Sequence, residues 1–364
     1  MTYLKNKLSE FYKKKIQNFF KYLYGEISEK ILHTDNKDII FLRTSIEKND
    51  YNIYICKACS LYTDTIHDTA IIKNRKIVDG PSFQLRDNIN VNCINNSVIS
   101  KGTPRFRKKI KGKVLSLLTG GGGNANYWHW MFDVLPRLYI IKDKGFTFDY
   151  YLFPDLKHKF QKETLDLLQI NTKKRLSSRS FRHFYADEII VTSHPYTILN
   201  DPSIDSLKIP NWISEFLRFK FLKIGKKNSK LKNLPKKIFI NRKDGRSLRY
   251  IINNNQVEDL LKKKGFKSLT MSNYSFVDQV ALFNNAQEII GLHGAAFANL
   301  VFCKPKTKII EMRPDTAGNV IKNLAIGNGL NYFDITSKPK TINFNNQQGD
   351  IEINIDTMKQ IINS

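Results

Sequence analysis

Acidic residues, cysteines and long apolar runs are all scarce in this chain. Its 364 residues carry 33 Asp+Glu against 59 Lys+Arg, a formal net charge of +26. Such an excess attracts polyanions (nucleic acid, acidic lipid surfaces or phosphorylated small molecules) unless it is spread as solvated lysines over every face. Four cysteines exclude a disulfide-stapled secreted scaffold. Cys56-Lys57-Ala58-Cys59 is half a zinc motif without a second pair, and Cys93 and Cys303 stand alone, so no metal is expected. No apolar stretch approaches the roughly 18–20 residues of a membrane-spanning helix. Lysines interrupt every apolar segment near the N-terminus, which argues against a secretory signal. No Gly-Lys-Ser/Thr follows the glycine run Gly120–Gly123, which excludes a P-loop.

What is present suffices for a folded protein. Hydrophobic residues make up 41% and charged residues 25%, enough apolar surface for cores, and the length suits two domains. Residues 1–38 read as a basic amphipathic helical extension. In it Leu4, Leu8, Phe11, Ile16, Phe19 and Leu23 recur mostly at three- and four-residue steps among lysines. Such a helix either lies on an anionic membrane or docks its stripe on the protein's own body. Short β-like runs follow at Ile39–Leu42, Tyr51–Cys56, Ala70–Ile72 and Val98–Ile99. Val114–Leu118, the glycines and a helix near Asn126 then open a βα unit within an N-terminal α/β domain, 39–205. Residues 206–235 read as a linker plus one helix. From 236 to 337, strands alternate with helices of about ten residues, which implies a parallel sheet with right-handed crossovers. Residues 338–364 read as a polar tail and a final helix.

Three clusters carry chemistry. Ile289-Ile290-Gly291-Leu292-His293-Gly294-Ala295-Ala296 ends a buried strand in a small-residue turn that opens a helix, a place where phosphates approach free N–H groups. Asn241-Arg242-Lys243-Asp244-Gly245-Arg246-Ser247-Leu248-Arg249 sets four cations directly after another strand; arginine forks and a lysine point charge suit a diphosphate. In the first half, His129, Asp133 and Arg137 are spaced four apart and share one helix face. Either His129 or Asp133 suits general-base work. Pro136 bends or ends that helix.

Taken together, these blocks resemble glycosyltransferase family 61, whose bacterial members are often capsular polysaccharide biosynthesis proteins. The resemblance rests on Asn126–Leu138, on Ile240-Asn241-Arg242 with Arg249, Ile251, Asn253 and Val257, and on Ala286–Met312. It covers roughly residues 55 to 335. It implies a GT-B-like α/β fold: two Rossmann-like domains with parallel sheets facing across a cleft, behind the basic N-terminal helix. It implies an inverting glycosyltransferase with a nucleotide-sugar co-substrate and no resident cofactor or metal. On the donor side it points to Arg242, Lys243, Arg249, His293, Gly294, Ala295, Asn299 and Glu311, the last on a ribose or uridine hydroxyl. On the other side it points to His129 and Asp133 for catalysis, with Asn126, Trp130 and Arg137 facing the acceptor. Family members commonly carry acids where this chain has Asn254 and Gln256, so no catalytic role falls there. Ala296-Phe297-Ala298 replaces the usual Gly-Leu-Thr, which narrows the expected donor pocket.

The implied partners are a nucleotide-sugar donor and a glycan or lipid-linked acceptor in surface polysaccharide biosynthesis, with an anionic membrane surface as a further partner. The expected location is cytoplasmic, peripheral at the inner membrane surface. Two other readings stay open: a non-catalytic polyanion-binding protein, nucleic acid being disfavoured because no recognised motif is present, and a GT-B-like sugar-nucleotide epimerase.

Overall fold

The computed structural model describes residues 2–32, 37–64, 68–82, 84–86, 89–91, 93–118, 126–196, 209–243, 245, 249–340 and 349–364. The chain divides into two compact units: Met1–His158 with Ile170–Pro202, and Lys159–Gln169 with Ser203–Ser364.

The first unit begins with α1 (Thr2–Tyr24), β1 (Ser28–Leu32), β2 (Ile39–Ile46), β3 (Asn49–Thr63), β4 (Thr69–Lys73), β5 (Lys76–Val78), β6 (Gln84–Arg86) and β7 (Ile89–Val91). It continues through α2 (Ser97–Lys101), β8 (Lys108–Ser116), α3 (Tyr127–His129), α4 (Arg137–Ile140), β9 (Tyr150–Phe153), β10 (Arg175–Ser177) and β11 (His183–Thr192). One nine-stranded sheet runs β1-β5-β4-β3-β11-β8-β9-β10, with β2 also paired to β3. It is mixed, not the parallel sheet the sequence suggested. β11, β8, β9 and β10 run parallel, whereas β3 pairs antiparallel with β2, β4 and β11. Turn length explains the difference. Asn74 and Arg75, both at positive φ, join β4 to β5 in the tight turn that only antiparallel neighbours can use.

Two local expectations give way here. The N-terminal helix stops well before residue 38: Gly25, at φ +80°, returns its N–H to the Lys21 carbonyl at 2.8 Å, a helix-ending conformation glycine adopts readily. Ser28–Leu32 is instead a strand on β5. Val98–Ile99 lies within α2 and not in a strand, because the Asn96 side chain accepts the Val98 N–H at 3.0 Å and starts a helix. The glycine run 120–123 lies outside the described residues.

The second unit contains α5 (Lys159–Leu167), α6 (Asn211–Asn228), β12 (Lys237–Ile240), α7 (Asn254–Lys263), β13 (Lys267–Leu269), α8 (Phe276–Asn285) and β14 (Glu288–Leu292). A 3₁₀ helix (Ala295–Phe302), β15 (Lys308–Pro314), α9 (Val320–Gly327), β16 (Asn331–Ser337) and α10 (Ile355–Asn363) follow. Its sheet is parallel throughout, in the order β13-β12-β14-β15-β16. Ser275 caps α8 by accepting the Asp278 N–H at 3.2 Å. The helix expected in a linker is core: α6 buries Trp212, Ile213, Phe216, Leu217 and Phe221. The final helix does the same with Met358 and Ile362, which pack with Val257 and Ile310. α5 joins this unit although first-unit chain flanks it on both sides, and Glu163 on it accepts the Phe276 N–H at 2.8 Å. Among the described residues, no helix is long and apolar enough to cross a membrane.

At Gly225 on α6, a Cβ would stand 2.5 Å from Cγ1 of Val280 on α8. A β-branched valine has little rotamer freedom to move aside. Gly225→Ala is therefore expected to cost about 1–3 kcal/mol through overpacking, more than the at most about 1 kcal/mol alanine returns in helix propensity. A lowered urea midpoint at unchanged slope is the expected readout. An unchanged or raised midpoint would show that Val280 yields.

Candidate functional site

Each unit places one polar cluster at the same kind of position. In the first unit the parallel strands β8, β9, β10 and β11 lie in the order β10-β9-β8-β11, so the chain reverses its direction of travel across the sheet between β8 and β11. In the second the reversal falls between β12 and β14. The carboxyl ends of strands at such points leave a crevice that no crossover covers.

In the first unit, Asn126 starts the helical segment by accepting the Trp128 N–H at 2.8 Å. The backbone then widens to a single π turn over Trp130–Val134, closed by the Leu135 N–H on the Trp130 carbonyl at 3.1 Å. Pro136 has no N–H to continue the regular pattern, and π turns recur at functional sites. Past it, Arg137 fixes the segment to the end of β11: Nε donates to the Asp133 carbonyl at 3.0 Å and Nη1 to the Thr192 carbonyl at 2.8 Å. His129 and Asp133 do meet, Nδ1 to Oδ2 at 2.7 Å. Two residues that sequence reasoning missed complete the cluster. The Tyr196 hydroxyl donates to Asp133 Oδ1 at 2.7 Å, and His194 Nε2 lies 3.7 Å from Oδ2. Their signal was present: Ser193-His194-Pro195-Tyr196 directly follows β11, at the strand end where this fold places its chemistry.

Burial and charge assign states to these groups. Asp133 is 1% exposed, whereas the His129 side chain keeps 21% of its surface open. Burial alone would raise the Asp133 pKa, but the charges and hydrogen bonds of His129 and His194 hold it well below the usual carboxylate range. Burial opposes an imidazolium at His129, yet the Asp133 charge and hydrogen bond lift its pKa above the ordinary histidine value. Burial and then the Asp133 charge push the Tyr196 phenol far up, so it remains a donor. Burial lowers Arg137 to about 10, still charged at neutral pH. With Asp133 on Nδ1, His129 presents Nε2 as the nitrogen available to a proton. Trp130 points the other way: it is wholly buried, its ring centroid 5.9 Å from that of Phe153. Of the three residues expected on the acceptor, Trp130 is a core ring and Arg137 a buried backbone tether, whereas Asn126 caps the helix and stays exposed.

In the second unit, Arg242 and Arg249 each donate through Nη1 to the His293 carbonyl oxygen, Arg242 at 2.8 Å. Burial, and next the charge of Arg242, bring Arg249 down to about 10, with Glu311 opposing. His293 sits at the end of β14, its N–H on the Met312 carbonyl at 2.8 Å and its Nδ1 on Glu311 Oε1. The Tyr332 hydroxyl donates to the other carboxylate oxygen, Oε2, at 2.6 Å. Glu311, expected on a ribose or uridine hydroxyl, is wholly buried with one oxygen on His293 and the other on Tyr332, so it orients the imidazole. Asn299, expected to touch the donor, is also wholly buried and donates to Gln279 Oε1 at 3.0 Å. Lys243 is exposed and pairs with Glu258 at 3.8 Å. Gly294 has extended backbone, so its need is for size: a Cβ there would collide with Arg242. Ala295 opens the 3₁₀ helix beside it. Arg246 lies outside the described residues.

The second cluster is a cation pair converging on one carbonyl oxygen, with a carboxylate-oriented imidazole alongside. The first is an imidazole oriented by a buried carboxylate. The family model described as Glycosyltransferase 61 matches residues 127–310, just over half of the chain, a span that contains the first cluster and, of the second, Arg242, Arg249 and His293. No curated protein matches the sequence.

Proposed function

Since the chain belongs to glycosyltransferase family 61 and is a glycosyltransferase, we propose that it moves a sugar, with inversion, from a nucleotide-sugar donor to a glycan or lipid-linked acceptor in surface polysaccharide biosynthesis. The observation that carries the donor side is the convergence of Arg242 and Arg249 on the His293 carbonyl. Two guanidiniums converging on one carbonyl oxygen concentrate forked donors at that point, a geometry suited to the oxygens of a nucleoside diphosphate. His293, Gly294 and Ala295 border that place, and Lys243 can leave Glu258 for a phosphate.

On the acceptor side, His129 Nε2 takes the proton from the acceptor hydroxyl. That oxygen forms a bond to the anomeric carbon as the bond from that carbon to the phosphate oxygen breaks. The electron pair leaves with the nucleoside diphosphate, facing Arg242 and Arg249. Asp133 holds the imidazole tautomer and balances its charge, and Tyr196 holds Asp133. In this reading the two units are the halves of a GT-B enzyme, the nucleotide-sugar is a co-substrate, and no resident cofactor takes part.

The test is to incubate the protein with uridine-, guanosine-, thymidine- and cytidine-activated sugars and follow nucleotide release with and without glycan acceptors. Nucleoside diphosphate from one donor, with a product of inverted anomeric configuration, is expected. Release of nucleoside monophosphate alone, retention of configuration, or turnover of no donor would overturn it.

A further inference from the structure

α1 is attached to the first unit by its last turns and by the less apolar of its sides. Phe20 is buried and stacks on Tyr24 at 6.0 Å between centroids, and the Tyr24 hydroxyl accepts the Arg107 N–H at 2.8 Å. The larger apolar arc looks elsewhere. At 3.6 residues per turn, Leu8, Phe11, Tyr12, Phe19 and Leu23 share a side, and each keeps about half or more of its surface exposed. A helix covered by its own protein shows the opposite pattern, its stripe inward.

Phe106, in the segment entering β8, extends this face. It is 69% exposed, with its ring 6.1 Å from Phe19 and 5.0 Å from Phe20. Together with Ile16 and Pro104 these rings line a groove of about 470 Å³, bordered by Lys15 and Arg105. Residues 2–24 contain one acid, Glu10, and residues 103–116 contain none. An apolar face rimmed by cations marks a binding surface, not an ordinary solvated one.

The geometry points to an anionic lipid bilayer as its occupant. Rings and aliphatic chains projecting from a single helix suit burial about 5–10 Å into the headgroup boundary, with lysine and arginine at phosphate depth. A second copy of the same face would set Lys15 and Arg105 against themselves. Nucleic acid would use the rings alone as stacking platforms, whereas the exposed Leu8, Ile16 and Leu23 interleaved with them suit an acyl boundary. The inference is independent of which sugar is transferred.

Flotation of the full chain with phosphatidylcholine vesicles, with and without phosphatidylglycerol, tests it. Strong co-flotation is expected with the anionic vesicles alone, weakening as salt rises. Phe11→Ser with Phe19→Ser is expected to reduce partitioning about tenfold or more through lost apolar burial. Lys15→Glu with Arg105→Glu is expected to do the same through charge. Because these side chains are exposed, melting temperatures stay at the parent value, which separates lost docking from lost folding. Equal binding to neutral vesicles, unchanged binding by either double variant, or self-association through this face without vesicle binding would each overturn the proposal.

Discussion

His129→Ala is expected to lower kcat by about 10²–10⁴-fold, the usual worth of a positioned general base, while donor affinity stays near the parent value. The pH dependence carries the finer test. The base acts only when neutral, and Asp133 raises the His129 pKa. The acidic limb of kcat/KM therefore lies above the ordinary imidazole value of about 6.5. Asp133→Asn removes the charge that favours the imidazolium, so the limb moves to lower pH. At the same time the plateau falls, because the imidazole loses its orienting partner. If Asp133 were itself the base, the same variant would abolish the reaction at every pH and leave no limb to shift. With Asp133 at 1% exposure and both its oxygens engaged by His129 and Tyr196, the shifted limb is the expected outcome.

Arg242→Ala and Arg249→Ala are each expected to cost about 10²–10³-fold in kcat, or about 2.7–4 kcal/mol of transition-state stabilisation, with a raised donor KM. Stability separates this role from a structural one. In the free protein the two guanidiniums repel each other, and part of the Arg249 pKa depression comes from Arg242. Removing Arg242 relieves that repulsion, so the unliganded variant keeps or gains thermal stability. What it loses is the stabilisation that added nucleoside diphosphate confers, about 2.7 kcal/mol at a hundredfold excess over Kd in an intact site. Unchanged donor turnover in Arg242→Ala would remove the donor assignment. A lower melting temperature without donor would instead make the arginine a scaffold residue.

Legibility in the sequence followed the period of the chain. The second sheet was readable in outline, because β12 and β14 carry the apolar runs Ile238-Phe239-Ile240 and Ile289-Ile290-Gly291-Leu292 and its strands alternate with helices. The first sheet was misread as parallel because pairing direction resides in turns such as Asn74-Arg75, whose backbone angles do not show in residue type. The i,i+4 spacing of His129 and Asp133 located their contact. Tyr196 lies 63 residues from Asp133, and no local rule spans that distance. Glu311 stood out in the sequence only as a site candidate; its burial and its two partners, His293 and Tyr332, depend on how neighbouring strands pack.

The placement of α5 has a consequence for synthesis. Its partners α6 and α8 lie later in the chain, and the Phe276 N–H that Glu163 accepts lies 113 residues downstream. At translation rates of about 5–20 residues per second, α5 waits on the order of 5–20 s for its packing surface while strands on either side of it can already pair. Throughout that interval the nascent protein carries Leu165 uncovered on a tether between two settled strands, β9 and β10. The segment most prone to capture by chaperones or by neighbouring chains is therefore a short helix that contributes no residue to either polar cluster.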